Sequence, residues 1–320
     1  MQQKKGNNSK NKISRENKKK VFIFSFEPKK DKITQTFLSK KVGVLLKKHD
    51  DEIVYVFVTK FSLPRVLKIF SKTIEPKTGY IICNNGACLY DISKKKIIFK
   101  SLLSKEVKST LIHVAELKSF LIASASGTKC SLYSTDIMKY KSFINNFSVD
   151  KTLINNYLTF RHYIYENDFL SFIFYDPYSA SLLKEYKIFK TMENDLNVNF
   201  SKIENNMFCV TNSDATVEKT YIKILELLEK EIDTNRTYYF VLNSFDEILW
   251  NIFSKNHYMN ILHWISYRNS FGVPITPQNI FIPENIDKII SAVMNNNIFI
   301  KKYSISNVEK EYINLRNKNQ

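Results

Sequence analysis

No run in this sequence approaches the roughly 18 uncharged apolar residues that a membrane span requires, and its amino-terminal stretch is too polar for a secretion signal. A cytoplasmic protein with no transmembrane segment is expected. Cysteine is rare: Cys83, Cys88, Cys130 and Cys209 are the four, and they lack the short paired spacing of zinc sites. They read as reduced thiols in apolar strands. His49, His113, His162, His257 and His263 are scattered, with no H-x-x-x-H pair and no H-E-x-x-H helix, which argues against a histidine metal site. Six glycines beside abundant Lys, Asn and Ile suggest an AT-rich coding sequence, a bias that inflates lysine for reasons unrelated to function. No internal repeat is evident.

Acidic residues are outnumbered, 31 Asp and Glu against 48 Lys and Arg, for a formal net charge of +17. A field of that sign raises encounter rates with nucleic acids and anionic membranes; coding bias accounts for part of it. The most biased piece is residues 1–20, where Lys4, Lys5, Lys10, Lys12, Arg15, Lys18, Lys19 and Lys20 face Glu16 alone. Such a block reads as a solvated, disordered tail that can offer weak polyanion binding. The chain as a whole is 44% hydrophobic and long enough for one large domain or for a core carrying an inserted domain.

Apolar periodicity divides the sequence in three. Residues 21–26, 53–58 and 80–83 read as buried strands, separated by amphipathic helical patterns over 33–48 and 63–70, the second opened by Pro64. Strand, helix, strand, helix, strand at this spacing predicts a parallel sheet with right-handed crossovers. From Cys88 the pattern becomes mixed: strands at 87–90, 96–100, 120–125, 129–133, 169–175, 197–201 and 207–211, with helices at 105–117 and 179–193. The parallel pattern resumes with a helix over 215–231, a strand over 238–242, a helix over 246–253, short strands at 271–273 and 279–282, and a helix over 284–294.

The run Tyr80-Ile81-Ile82-Cys83-Asn84-Asn85-Gly86-Ala87 resembles the stretch that leaves the core and enters the cap in Cof-type phosphatases of the haloacid dehalogenase (HAD) superfamily. The resemblance spans roughly residues 21–297. It implies an α/β fold: a HAD-like Rossmannoid parallel-sheet core over 21–87 and 212–297, an inserted α/β cap over 88–211, and an extension over 298–320.

It also implies where chemistry would lie, and open parallel sheets place ligands outside the carboxyl ends of their strands in any case. In the family an aspartate attacks phosphorus and helps bind magnesium; that position is Ser25, a neutral hydroxyl, a poor magnesium ligand and an unactivated nucleophile. Glu27 stands where the family's acid/base stands, and Pro28-Lys29 replaces the Gly-Thr that shapes its turn. Thr59 and Lys219 match the phosphate-binding positions, whereas Lys60 and Phe61 replace a Gly-Arg pair. Asn243, Asp246 and Glu247 occupy the metal-binding segment, with one charge removed at Asn243. Each has a plainer alternative. Ser25 and Thr59 suit strand-end turns, Asp246 and Glu247 suit a helix start, and the aromatics Phe169, Phe172, Phe174, Tyr175, Trp250 and Trp264 suit a core.

Three functions are therefore open. The first is a HAD-like protein, catalytically inactive or strongly impaired, that serves as a binding or interaction module. The second is a magnesium-dependent phosphatase of phosphosugars or nucleotides working through Glu27 with Asp246 or Glu247. The third is a basic protein associated with nucleic acid through its tail. A phosphorylated small molecule is the partner that the resemblance implies, and magnesium its cofactor, a cofactor that the loss of Asp at 25 and 243 weakens.

Overall fold

The structure, a computed structural model, describes residues 18–26, 37–70, 76–117, 121–127, 130–134, 138, 151–154, 156–176, 180–204, 207–242, 260–264, 280–281 and 286–294. The chain opens with β1 (Lys19–Ser25), α1 (Lys40–Lys48), β2 (Ile53–Val58), α2 (Leu63–Phe70), β3 (Tyr80–Cys83), a 3₁₀ turn at Asn84–Gly86, β4 (Cys88–Asp91) and β5 (Lys96–Lys100). It continues through α3 (Lys105–Leu117), β6 (Leu121–Ala125), β7 (Cys130–Tyr133), β8 (Lys151–Ile154), α4 (Tyr157–Glu166), β9 (Ser171–Tyr175), α5 (Ala180–Thr191), α6 (Glu193–Leu196), β10 (Val198–Glu204) and β11 (Met207–Asn212). It then returns with α7 (Val217–Leu228), β12 (Ile232–Val241), β13 (Asn260–Trp264), β14 (Ile280–Phe281) and α8 (Ile286–Met294).

Two sheets result. The first has the order β14-β13-β12-β1-β2-β3-β4-β5, parallel from β14 to β3 and antiparallel at β4 and β5. Side chains alternate across a strand, so β1 sends Phe22 and Phe24 to one face and Val21 and Ile23 to the other. Neighbouring strands follow suit. Tyr55, Phe57, Tyr238 and Phe240 join the phenylalanines in an aromatic face, where Phe24 and Phe240 stack with centroids 4.7 Å apart. Val54, Val56 and Val58 extend the branched face. On the aromatic face pack Val42 and Leu46 of α1, Val66 and Phe70 of α2, and Ile290 and Val293 of α8; the branched face receives Val217, Tyr221, Ile224 and Leu228 of α7.

The second sheet, β10-β11-β9-β6-β7-β8, is antiparallel except for the β7–β8 pair. One face is apolar and aromatic and lies under the helices, with Phe172, Phe174, Phe200, Phe208 and Val210 against Phe160 and Ile164 of α4 and Phe189 of α5. The other carries Ile173, Met207 and Cys209. Cys83, Cys88 and Cys209 are free and buried, and burial holds the Cys83 thiol well above its ordinary pKa.

Several expectations shift. Of the helix predicted over 33–48, residues 33–36 lie outside the described residues, and a break at Leu38 and Ser39 separates helical Phe37 from α1, which the Ser39 hydroxyl caps by accepting from Val42 N. The strand over 238–242 begins six residues earlier, at Ile232, and β8 and β13 add strands that the pattern does not announce. The change of pattern at Cys88 is not the entry to a second sheet. It is a reversal of strand direction within the first, since Cys88 pairs with Cys83 across the 3₁₀ turn and β5 then forms that sheet's edge. The segment read as a tail also ends sooner than residue 20: Lys19 starts β1, and Lys20 is buried with its ammonium donating to the carbonyls of Val293 at 3.0 Å and Met294 at 2.6 Å. Those carbonyls lie in the last turn of α8, where C=O groups call for donors from outside the helix. The helix predicted over 246–253 and the strand over 271–273 lie outside the described residues, as do residues 1–17.

The return crossing needs one glycine. Gly86 has φ +94°, and a Cβ there would meet the carbonyl carbon of Thr216 at 2.4 Å. The buried Thr220 hydroxyl donates to the Gly86 carbonyl at 2.7 Å, tying α7 to the turn. Gly86→Ala should therefore lower the unfolding free energy by about 2 kcal/mol or more, read from urea denaturation, through strain and a displaced α7. In the same assay Lys20→Met should cost about 1–3 kcal/mol, because two helix-end carbonyls lose their donor. A midpoint unchanged from that of the unsubstituted protein would show that the Lys20 contacts contribute nothing.

Candidate functional site

The parallel ladders fix which residues share the carboxyl edge of the first sheet. Ser25 lies opposite Val58 on one side and Val241 on the other. The pairing runs one residue further, with Phe26 N donating to the Val58 carbonyl, Leu242 N to the Ser25 carbonyl and Thr59 N to the Ile82 carbonyl. Ser25, Thr59 and the chain leading into Asn243 thus stand side by side on adjacent strands, as close as the roughly 4.8 Å strand spacing allows. Ser25 and Thr59 are each 1% exposed. Ser25 continues the alternation of Val21 and Ile23, which places it toward α7, whereas Phe26 turns into the aromatic core and stacks on Phe70.

Lys219 sits in the first turn of α7, capped by the Thr216 hydroxyl, which accepts from Lys219 N. Its ammonium donates to Asp214 Oδ1 at 2.8 Å, and both side chains are more than half exposed. That hydrogen bond and charge hold the Asp214 carboxyl below its usual range. Of the predicted phosphate pair, Thr59 is buried at the strand edge, whereas the Lys219 ammonium is exposed and engages Asp214. The Thr59 hydroxyl itself accepts from Phe61 N at 3.3 Å. Glu27, Asn243, Asp246 and Glu247 lie outside the described residues. Among the described residues no group of three or more His, Cys, Asp or Glu is arranged to hold a metal ion.

The loops at this edge carry polar groups whose partners the sequence does not announce. Lys60 Nζ donates to the Lys202 carbonyl at 3.1 Å, Asn84 Nδ2 to Ser171 Oγ at 2.8 Å, and Asn85 Nδ2 to Ser201 Oγ at 2.9 Å; all three reach from the first sheet to the second. Asn84 and Asn85 both have positive φ, which asparagine tolerates better than most residues. Buried Asn84 Oδ1 and Thr211 Oγ1 find no hydrogen-bond partner among the described residues. Burial pushes the Cys209 thiol up to about 12, against the opposing pull of Lys60 and of a hydrogen bond with Ser171, so it is a thiol and not a nucleophilic thiolate at neutral pH. A run of two left-handed asparagines ahead of a glycine is the sequence signal for this junction; the lysine and phenylalanine after Thr59 carry no comparable one.

The described part of the edge therefore offers hydroxyls, amides and one ammonium. It can hydrogen-bond an anion, but it presents no carboxylate to attack phosphorus and no base to take a proton from Ser25. Removing the Asp214 carboxylate, as in Asp214→Asn, should free the Lys219 ammonium. The Lys219 side-chain resonances should move in NMR spectra while those of β1 and β2 stay in place; unmoved Lys219 resonances would mean that the pair is not formed in solution.

No protein-family profile and no curated protein matches the sequence. Solved structures do. A haloacid dehalogenase-like hydrolase from Bacteroides thetaiotaomicron is 11% identical and superposes with a TM-score of 0.63 over 87% of this chain and 100% of its own. A subclass IIB sugar phosphatase of the HAD superfamily is 13% identical, with a TM-score of 0.60 over 88% of this chain and all of its own. A protein from Thermotoga maritima is 14% identical, with a TM-score of 0.62 over 87% of this chain and 97% of its own. At these identities the likeness is one of fold, and the fold is that of the haloacid dehalogenase-like hydrolases, a parallel-dominated α/β core with a second α/β unit inserted in it.

Proposed function

We propose that this chain is a HAD-like protein that binds a phosphorylated small molecule without hydrolysing it efficiently. The observation that carries the reading is the register of β1: Ser25 stands between Val58 and Val241 at the carboxyl edge, where aspartyl-phosphate chemistry would need a carboxylate. A serine hydroxyl with no described base beside it cannot form that intermediate at a useful rate. Thr59, next to it, supplies a hydroxyl that suits a phosphoryl oxygen.

Magnesium would be held by Asn243, Asp246 and Glu247 together with residue 25. Of these only Ser25 is described, and a neutral hydroxyl fits a hard divalent cation poorly. The donor set supports weak metal binding at most. The likeness to a sugar phosphatase favours a second reading, in which the remaining acids sustain magnesium-dependent turnover of a phosphosugar.

With magnesium and p-nitrophenyl phosphate the purified protein should release phenolate no faster than a buffer control, and Ser25→Asp should not restore turnover, because Pro28-Lys29 and Asn243 remain. Magnesium-dependent turnover that disappears in Glu27→Gln would establish the phosphatase instead. Inorganic phosphate, used as the binding probe, should raise the Tm of the unsubstituted protein and leave that of Thr59→Val unmoved. Equal shifts in the two proteins would remove Thr59 from the binding site.

A further inference from the structure

Phe61 follows Thr59 and Lys60 in the loop after β2, at the carboxyl edge of the first sheet, yet its side chain belongs to the second. It is 2% exposed and packs in a cluster with Leu121, Ala123, Leu132, Ile173, Met207 and Cys209, drawn from β6, β7, β9 and β11. These residues lie on the face of the second sheet that its helices leave free, the opposite face being filled by Phe172, Phe174 and Phe208 against α4 and α5. The ring is also held from its own side. The Arg65 guanidinium lies 4.0 Å from the ring centroid, and the Phe61 carbonyl accepts from Asn84 N at 2.9 Å. Lys60, Asn84 and Asn85 add polar ties on either side of the apolar contact.

We infer that Phe61 is an intramolecular latch: it occupies the space between the strand-end edge and the second sheet and holds the two units closed, so that a ligand reaching Ser25 and Thr59 must first displace it. The physical basis is the burial of a whole phenyl ring in a pocket supplied by the other unit, in a loop that solvent and ligand would otherwise fill. Polar ties alone exchange readily with water, whereas withdrawing this ring exposes its own surface and opens the apolar cluster to which it belongs. The latch is a property of the closed state and stands whether or not the protein binds phosphate. Its failure and the failure of the binding proposal are told apart because its readout is a thiol, not a ligand.

Cys209 belongs to the same buried cluster as the ring, while Cys83 and Cys88 are buried in the first sheet and serve as internal controls. Full-length protein and Phe61→Ala are exposed to a maleimide under native conditions, and labelled positions are located by peptide mass. Cys209 in Phe61→Ala should react on the order of 10–100-fold faster than in the unsubstituted protein, with Cys83 and Cys88 still protected. A Cys209 rate equal to that of the unsubstituted protein overturns the latch. So does simultaneous labelling of all three thiols in a protein that retains its circular dichroism, since that would report general loosening and not separation of two units. Should Phe61→Ala fail to fold, Phe61→Leu is read in the same way: selective acceleration at Cys209 supports the latch, and an unchanged rate there removes it.

Discussion

The pairing of β1 between β2 and β12 is the constraint on which the rest of the molecule depends. Three strands far apart in sequence meet in one register, and that register decides both faces of the sheet at once. Shifting it by one residue would send Phe22 and Phe24 toward α7 and the valines toward α1 and α8, exchanging a face built for rings with one built for branched aliphatics. Neither set of helices could accommodate the exchange at interior packing density. The same register fixes the position of Ser25, so the place where chemistry would occur is a by-product of how the aromatic face is filled.

Much of this is legible in the sequence because it is local and periodic. The Val-Phe-Ile-Phe alternation of residues 21–24, the uninterrupted apolar run of 53–58 and the amphipathic spacing of Val217, Tyr221, Ile224 and Leu228 each report an environment through their own pattern. Strand ends follow from the same runs, which is why the sequence alone places Ser25 and Thr59 on one edge. Lys219 shows the limit of such reasoning. Its position in the first turn of α7 follows from the pattern, but the direction of a flexible four-carbon stem does not, and in the structure the nearby Asp214 engages it.

What the sequence hides is long-range. Lys20 looks like the last member of a basic run, and only the arrival of α8 more than two hundred residues later makes it a helix cap. Cys88 begins a change of periodicity, and nothing local distinguishes a new sheet from a reversed strand in the old one. Phe61 is hidden most completely, since its partners come from four separate strands of the inserted unit. The asparagine pair at 84–85 is the exception: left-handed backbone is rare enough outside glycine that the sequence marks the turn, though not what the two amides bind.

The order of strands in the first sheet also bears on how the chain is made. The second sheet is drawn from one continuous stretch and is complete once Asn212 has been synthesised, whereas β1 must wait for β12, with the whole inserted unit already emerged between them. Until then one edge of a highly aromatic strand is unpaired, a surface that associates readily with other exposed chains. The closure that ends this exposure spans most of the polypeptide, and closures of that length are slow. In a crowded cell the nascent protein therefore passes through a period in which the inserted unit can be native and the core is half a sheet, and the phenylalanines that later stabilise it are the groups a chaperone would hold.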